Sequence, residues 1–243
     1  MQRMTLATPA HLNEPHGAGV AARLNWLRAG VLGANDGVVS VAATVIGVAS
    51  ATDSTAFILT AGVAALIGGA VSMALGEYVS VSSQRDSQQA LIEKERSELA
   101  ADPEAELHEL TAIYASKGLK AETAHQVAVE LTAHDALAAH LSAELNIDAT
   151  EVVNPWHAAL ASAVAFAIGA FLPLLAIMLA PADVRVAVTF VAVLIALVLT
   201  GSLSAWIGGS AVRTAVARLV IGGALALTAT FVIGSLLGSS GVV

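Results

Sequence analysis

The 243-residue chain has no cysteine, few charges and few aromatic residues. Without cysteine there is no disulfide, thiolate metal site, iron–sulfur cluster or thiol nucleophile. Charged residues make up 12% of the chain, where an ordinary soluble domain carries about 25%. With 56% hydrophobic residues and a mean hydropathy of +0.76, this argues against a soluble monomeric enzyme. Basic clusters are also missing, and the net charge of −8 argues against nucleic acid as a partner. Neither Gly-x-x-x-x-Gly-Lys-[Ser/Thr] nor His-Glu-x-x-His occurs, so the chain lacks the phosphate loop of an ATP-driven pump. The chain is expected not to be an enzyme and to hold no prosthetic group.

The charge that is present is concentrated. Between Gln84 and Asn154 lie 14 acids and 5 bases, a local balance of −9; the rest of the chain has 5 acids and 6 bases. That distribution predicts membrane spans plus one acidic, water-soluble insert. A helix needs about 20 apolar residues to cross a bilayer, and five windows qualify: residues 29–52, 54–76, 158–182, 186–212 and 219–243. Pro173 in the third predicts a kink. The spans are rich in Ala, Gly and Val, and small-residue faces such as Gly30-x-x-x-Ala34 and Gly234-x-x-x-Gly238 let helix backbones approach closely.

The expected fold is an all-α membrane protein with five transmembrane helices and a cytoplasmic three-helix insert between spans two and three. Residues 1–22 read as a disordered arm with no cleavable signal, 23–82 as spans one and two, 83–154 as the acidic domain and 155–243 as spans three to five. In this arrangement ten of the 11 bases fall on one side and only Arg185 on the other. The positive-inside rule then puts the amino terminus and the insert in the cytoplasm and the carboxyl terminus outside, in a prokaryotic inner (plasma) membrane.

Span two is expected to run into the insert as one helix from Ser54 to about Ala101, its second half outside the membrane. Asp102-Pro103-Glu104 is a stop-and-restart, with Asp as N-cap, Pro at the first helical position and acids in the first turn. Gly118 should end the second helix in a left-handed cap, and a third should cover about Ala121 to Leu145, without a convincing N-cap. Asn154-Pro155 separates the insert from span three. A domain of about 70 residues is too small to bury much core alone, and a partner copy or a bound ion would help it.

Asp36 lies inside span one, where a charge costs about 2.5–3.5 kcal/mol on insertion scales. It is a candidate ion or proton site; the plainer reading is a protonated carboxyl or one bonded to Asn35 or the backbone. Met73 and Glu77, four apart on span two, share a face. A thioether with a carboxylate suits a borderline transition metal better than Mg²⁺ or Ca²⁺, although Met73 alone reads as packing and Glu77 as a marker of the water interface. In the insert, Glu95/Glu98 and Glu106/Glu109 are spaced i,i+3 and His140/Glu144 i,i+4, so that antiparallel helices could assemble an oxygen and nitrogen site for a divalent metal. The same charge run also reads as a solvated acidic face. Glu122-x-x-His125 matches one element of a di-iron bundle, without the longer helices such a bundle needs.

Gly33-Ala34-Asn35-Asp36-Gly37, Ser72-Met73-Ala74-Leu75-Gly76-Glu77-Tyr78-Val79-Ser80, the paired glutamates and Pro155 leading into Gly169-Ala170-Phe171-Leu172-Pro173 resemble the vacuolar iron transporter family over roughly residues 22–240. The resemblance implies a five-span homodimer that moves Fe²⁺, and often Mn²⁺, out of the cytosol in exchange for protons. It implies an ion path at the subunit interface and metal capture by the cytoplasmic domain. By position, Asp36, Met73 and Glu77 correspond to intramembrane metal and proton residues, and Glu95, Glu98, Glu106, Glu109 and Glu144 to the glutamate ligands. His140 stands where eukaryotic members have a methionine, with His134, or no ligand at all, as the alternatives. The expected partners are divalent metal ions, protons, the lipid bilayer and a second copy of the chain. The alternative is a membrane-anchored metal buffer or sensor, in which the insert binds metal and the spans only anchor and dimerise.

Overall fold

A computed structural model describes residues 19–147 and 154–240, with side chains from Ala29 onward. Among the described residues there are seven helices and no strand: α1 (Gly19–Ala51), α2 (Thr55–Ala101), α3 (Pro103–Ser116), α4 (Ala121–Ala143), α5 (Pro155–Leu179), α6 (Arg185–Ile207) and α7 (Val212–Ser239). Five of them, α1, α2, α5, α6 and α7, are long and apolar enough to cross a membrane. The first 18 residues of the predicted arm lie outside the described residues, and α1 begins within its last four.

α1 is the central helix and packs against α2, α5, α6 and α7. One core cluster joins Val38, Ala42 and Ile46 of α1 to Val193, Leu197 and Leu227. A second joins Val41 and Val45 to Ile58, Phe166, Ala170 and Ile177. The α1–α5 crossing is made by glycine. A β-carbon on Gly37 would overlap the Phe166 carbonyl, and one on Gly169 would overlap the Ala34 carbonyl. Gly33 and Gly37 therefore flank Asp36 because α5 approaches there backbone to backbone. Gly234 and Gly238, one of the small-residue faces in the sequence, pack on Gly47, Ser50 and Ala51 of α1 in the same chain. Their missing side chains are used up inside the protomer.

α2 has 47 residues, about 70 Å at 1.5 Å per residue, more than twice a bilayer's hydrocarbon core. Ser54 caps its start by accepting from the Phe57 N–H. Its far half leaves the apolar layer and packs with α3 and α4, which pair around Leu110, Ala128 and Ala139. The predicted restart is present: Asp102 accepts from the Ala105 N–H at 3.1 Å, Pro103 opens α3, and Glu104 and Glu106 fill its first turn. Gly118 follows α3 with φ +100°. Asn154 caps α5 by accepting from the Trp156 N–H at 3.0 Å.

Some element bounds differ from expectation. α4 ends at Ala143 and is broken at Asp135 (φ −159°, ψ 98°), whose carboxylate accepts from the Ala138 N–H at 3.0 Å and so caps a new short segment. α7 begins at Val212, earlier than its apolar run, because Arg213 and Arg218 can continue the helix while their long side chains reach water. Pro173, where a kink was expected, lies buried inside α5. At the end of the bundle away from the insert, buried Arg185 donates to the Asp53 carbonyl and carboxylate at 3.1 and 3.3 Å, tying α6 to the α1–α2 turn.

Candidate metal centre

His140 is the centre of the insert. It lies on the short segment of α4 that Asp135 starts, and no part of its side chain reaches solvent. Its Nδ1 stands 2.9 Å from Oε1 of Glu95 on α2, 3.6 Å from Oε2 of Glu106 on α3 and 3.9 Å from Oε2 of Glu144, one turn later. Glu95, His140 and Glu144 each place one ligand atom within 4.8 Å of the other two. Lys117 donates to the Ala143 carbonyl at 2.9 Å and holds the turn that carries Glu144.

Neither nitrogen of His140 nor Oε1 of Glu95 has a hydrogen-bond partner, although all three atoms are buried. The 2.9 Å pair is close but not aligned as a hydrogen bond. Buried polar atoms are almost always partnered, and leaving one unpartnered costs about 1–3 kcal/mol. A cation at the point of convergence would satisfy oxygen and imidazole lone pairs together. Burial raises the Glu95 carboxyl above its ordinary range, and the neighbouring Glu144 adds to the rise. Burial, then Glu109, do the same to Glu106. Protons thus compete for the oxygens a metal would use.

Of the residues expected from spacing, Glu95, Glu106, His140 and Glu144 are brought together. Glu98 is half-buried, and its Oε2 accepts from Lys94 Nζ at 2.7 Å. Glu109 is exposed one turn from Glu106. Between the two histidines, His140 is buried in the cluster and His134 is exposed. His125, of the Glu-x-x-His element, is exposed beside Thr111. The i,i+3 and i,i+4 spacings put both members of each pair on one side of a helix, but the packing of α2 on α3 and α4 decides which member faces inward.

In the spans, Asp36 is half-buried and accepts from Ser40 Oγ at 2.6 Å. Its neighbour Asn35 accepts instead from Thr200 of α6 at 2.7 Å. Asp36 is therefore bonded to the Ser40 hydroxyl and not to Asn35. Ser40 was not singled out in the sequence, though a hydroxyl one turn from an intramembrane acid is a readable signal. Met73 is half-buried and packs on the cluster around Phe166, and Glu77 is half-buried where the apolar half of α2 ends.

A family model described as the VIT family matches residues 27–235. The chain belongs to that family. Among relatives of this VIT family member, the "Vacuolar iron transporter" of Acanthamoeba castellanii is 43% identical over 213 residues, 87% of this chain and 78% of the relative. The "Vacuolar iron transporter homolog 1" of Oryza sativa subsp. japonica is 37% identical over 227 residues, 93% of this chain and 80% of the relative. The "Vacuolar iron transporter homolog 2.1" of Arabidopsis thaliana is 36% identical over 222 residues, 90% and 84% respectively.

Proposed function

We propose that this VIT family member is a homodimeric Fe²⁺ transporter, with Mn²⁺ as a second ion, that clears metal from the cytoplasm in exchange for protons. The observation that carries the reading is the convergence of buried, unpartnered His140 and Glu95 with Glu106 and Glu144. Carboxylates with one imidazole suit Fe²⁺ and Mn²⁺ better than all-thiolate or all-carbonyl chemistry would. The insert, with its −9 balance, collects cations over about a Debye length of 8–10 Å. Glu98 and Glu109 form the outer rim of this field, and Glu95, Glu106, His140 and Glu144 hold the ion.

From there the metal passes to Glu77 and Met73, then to Asp36. Metal binding requires ionised carboxylates, so protons arriving from the opposite side expel the ion. The stripe of Leu32, Asp36 and Ser40 on α1 supports a dimer: Leu32 and Ser40 are exposed and Asp36 is only half-buried. A carboxylate at membrane depth faces protein or water, not lipid, and a second copy supplies that cover. The membrane half of α2, where Ile58 and Gly62 alone are buried, adds to the uncovered face. The insert then lies in the cytoplasm, as the bases on its side favour.

One observation favours the buffer or sensor instead. Glu95 lies 18 residues beyond Glu77 on one helix, about 27 Å at 1.5 Å per residue, so the cluster needs nothing from the spans to bind metal. Flux separates the two readings. In sealed vesicles with an imposed pH gradient, the transporter moves Fe²⁺ and Asp36→Ala stops it while the insert still binds metal. Binding without flux in the wild type establishes the buffer, and flux undiminished in Asp36→Ala removes Asp36 from the mechanism.

A further inference from the structure

Where α2 leaves the apolar layer and α5 enters it, the two helices enclose an open cavity of about 510 Å³, within the size range of small-molecule sites. Tyr78, Ser82, Arg85 and Asp86 of α2 line it, facing Asn154 and Trp156 at the start of α5. The level is set by the sequence on both sides. Arg85 is the first base after the apolar half of α2, and Trp156 precedes the uncharged run of α5. Tyr78 and Trp156 pack with ring centroids 4.7 Å apart at 49°, and Trp156 is 69% exposed. Tyrosine and tryptophan at this depth belong to the aromatic belt of a membrane protein, at the headgroups.

The lining carries one cation, one anion, the hydroxyls of Ser82 and Tyr78, the Asn154 amide and two aromatic rings. A divalent metal is a poor occupant, because a single carboxylate beside a guanidinium offers no net attraction. A simple anion would leave Asp86 and the rings unused. A headgroup with a phosphate and a nearby ammonium uses both charges, the Ser82 hydroxyl and the rings. The phosphodiester pairs with Arg85 and Ser82, the ammonium donates to Asp86, and the glycerol and upper acyl chains lie along Tyr78 and Trp156. Arg85 and Asp86 are consecutive on a helix and so point about 100° apart, which suits two charges joined by a short linker.

We propose that this cavity binds a zwitterionic phospholipid whose ammonium is primary, phosphatidylethanolamine in chemical class, from the leaflet on the insert's side. The proposal stands apart from the metal reading. To test it, the full chain is reconstituted in bilayers of equal phosphatidylethanolamine, phosphatidylcholine and phosphatidylglycerol, re-extracted, and its retained lipid measured by native mass spectrometry. Phosphatidylethanolamine is retained over each of the others by roughly two- to tenfold, the worth of one hydrogen bond. Asp86→Asn removes the preference over phosphatidylcholine, whose trimethylammonium has no N–H to give. Arg85→Gln lowers retention of all three, and Trp156→Phe, the mild variant should Trp156→Ala fail to fold, keeps the preference. Equal retention by the wild type, a preference for phosphatidylcholine or phosphatidylglycerol, or an unchanged pattern in both Asp86→Asn and Arg85→Gln overturns the proposal. So does release of the lipid by free phosphoethanolamine in detergent, which makes a soluble phosphoamine the ligand.

Discussion

His140 Nδ1 and Glu95 Oε1 stand 2.9 Å apart with no hydrogen bond between them and no other hydrogen-bond partner for either. Two buried polar groups in contact without mutual satisfaction are held there by the rest of the insert. The apo domain is therefore destabilised at this point, and a ligand that binds only the folded state returns the stability.

That relationship gives the first prediction. Glu95→Gln removes a desolvated carboxylate, so the apo protein keeps its stability or gains some, while the metal-induced rise in Tm is lost. His140→Ala also removes the rise and weakens Fe²⁺ or Mn²⁺ binding by at least about tenfold. His134→Ala changes neither. Thermal unfolding of the full chain with and without metal, beside direct titration, checks all three.

The second prediction concerns pH. Glu95 and Glu106 have carboxyl groups raised above their ordinary value of 4.5. The folded apo state then binds more protons than the unfolded one, so stability falls as pH rises. The contribution is complete below pH 4.5 and is lost as pH climbs through the raised folded values. Metal affinity runs the opposite way, increasing over the same window as protons leave. Chelated protein scanned by circular dichroism should show the decline, and the double change Glu95→Gln/Glu106→Gln should flatten it. A decline of the same slope in the double variant would assign it to other groups.

The third prediction tests the break in α4. Asp135→Ala deletes the cap of the segment carrying His140, a loss of about 0.5–2 kcal/mol. The segment that holds His140 against Glu95 is loosened, so metal affinity falls together with stability. Asp135→Asn or Asp135→Ser, which keep a capping oxygen, should preserve both. Affinity untouched in Asp135→Ala would mean that packing alone places His140.

The fourth tests the crossing of α1 and α5. Gly37→Ala and Gly169→Ala each push a methyl into a facing backbone carbonyl, with a cost of about 1–3 kcal/mol from overpacking. Gly30→Ala and Gly76→Ala meet nothing within 4 Å in the protomer and should be neutral or gain up to about 1 kcal/mol in helix propensity. Unfolding in mild detergent ranks the four. A large loss at Gly76→Ala would instead place that face of α2 against a second copy.

Spans, caps and the acidic insert were legible in the sequence because each rests on interactions local to the chain. Transfer of about 20 apolar residues into lipid needs no partner to be recognised. Asp102, Pro103, Gly118 and Asn154 act on their own helix ends within a few residues. The family resemblance was legible for a related reason, since Gly33 to Gly37 and Ser72 to Ser80 are continuous stretches.

Tertiary structure alone decided which of the paired acids turn inward and which small residues are used inside the protomer. Helical spacing places Glu95 and Glu98 on the same side but cannot rank them; the approach of α3 and α4 buries Glu95 and leaves Glu98 to Lys94. The same holds for Gly37, Gly169 and Gly234, where only the fold shows which backbone meets each. Burial and close approach depend on residues far away in the chain, so a one-dimensional pattern carries the periodicity of a face but not the identity of what covers it.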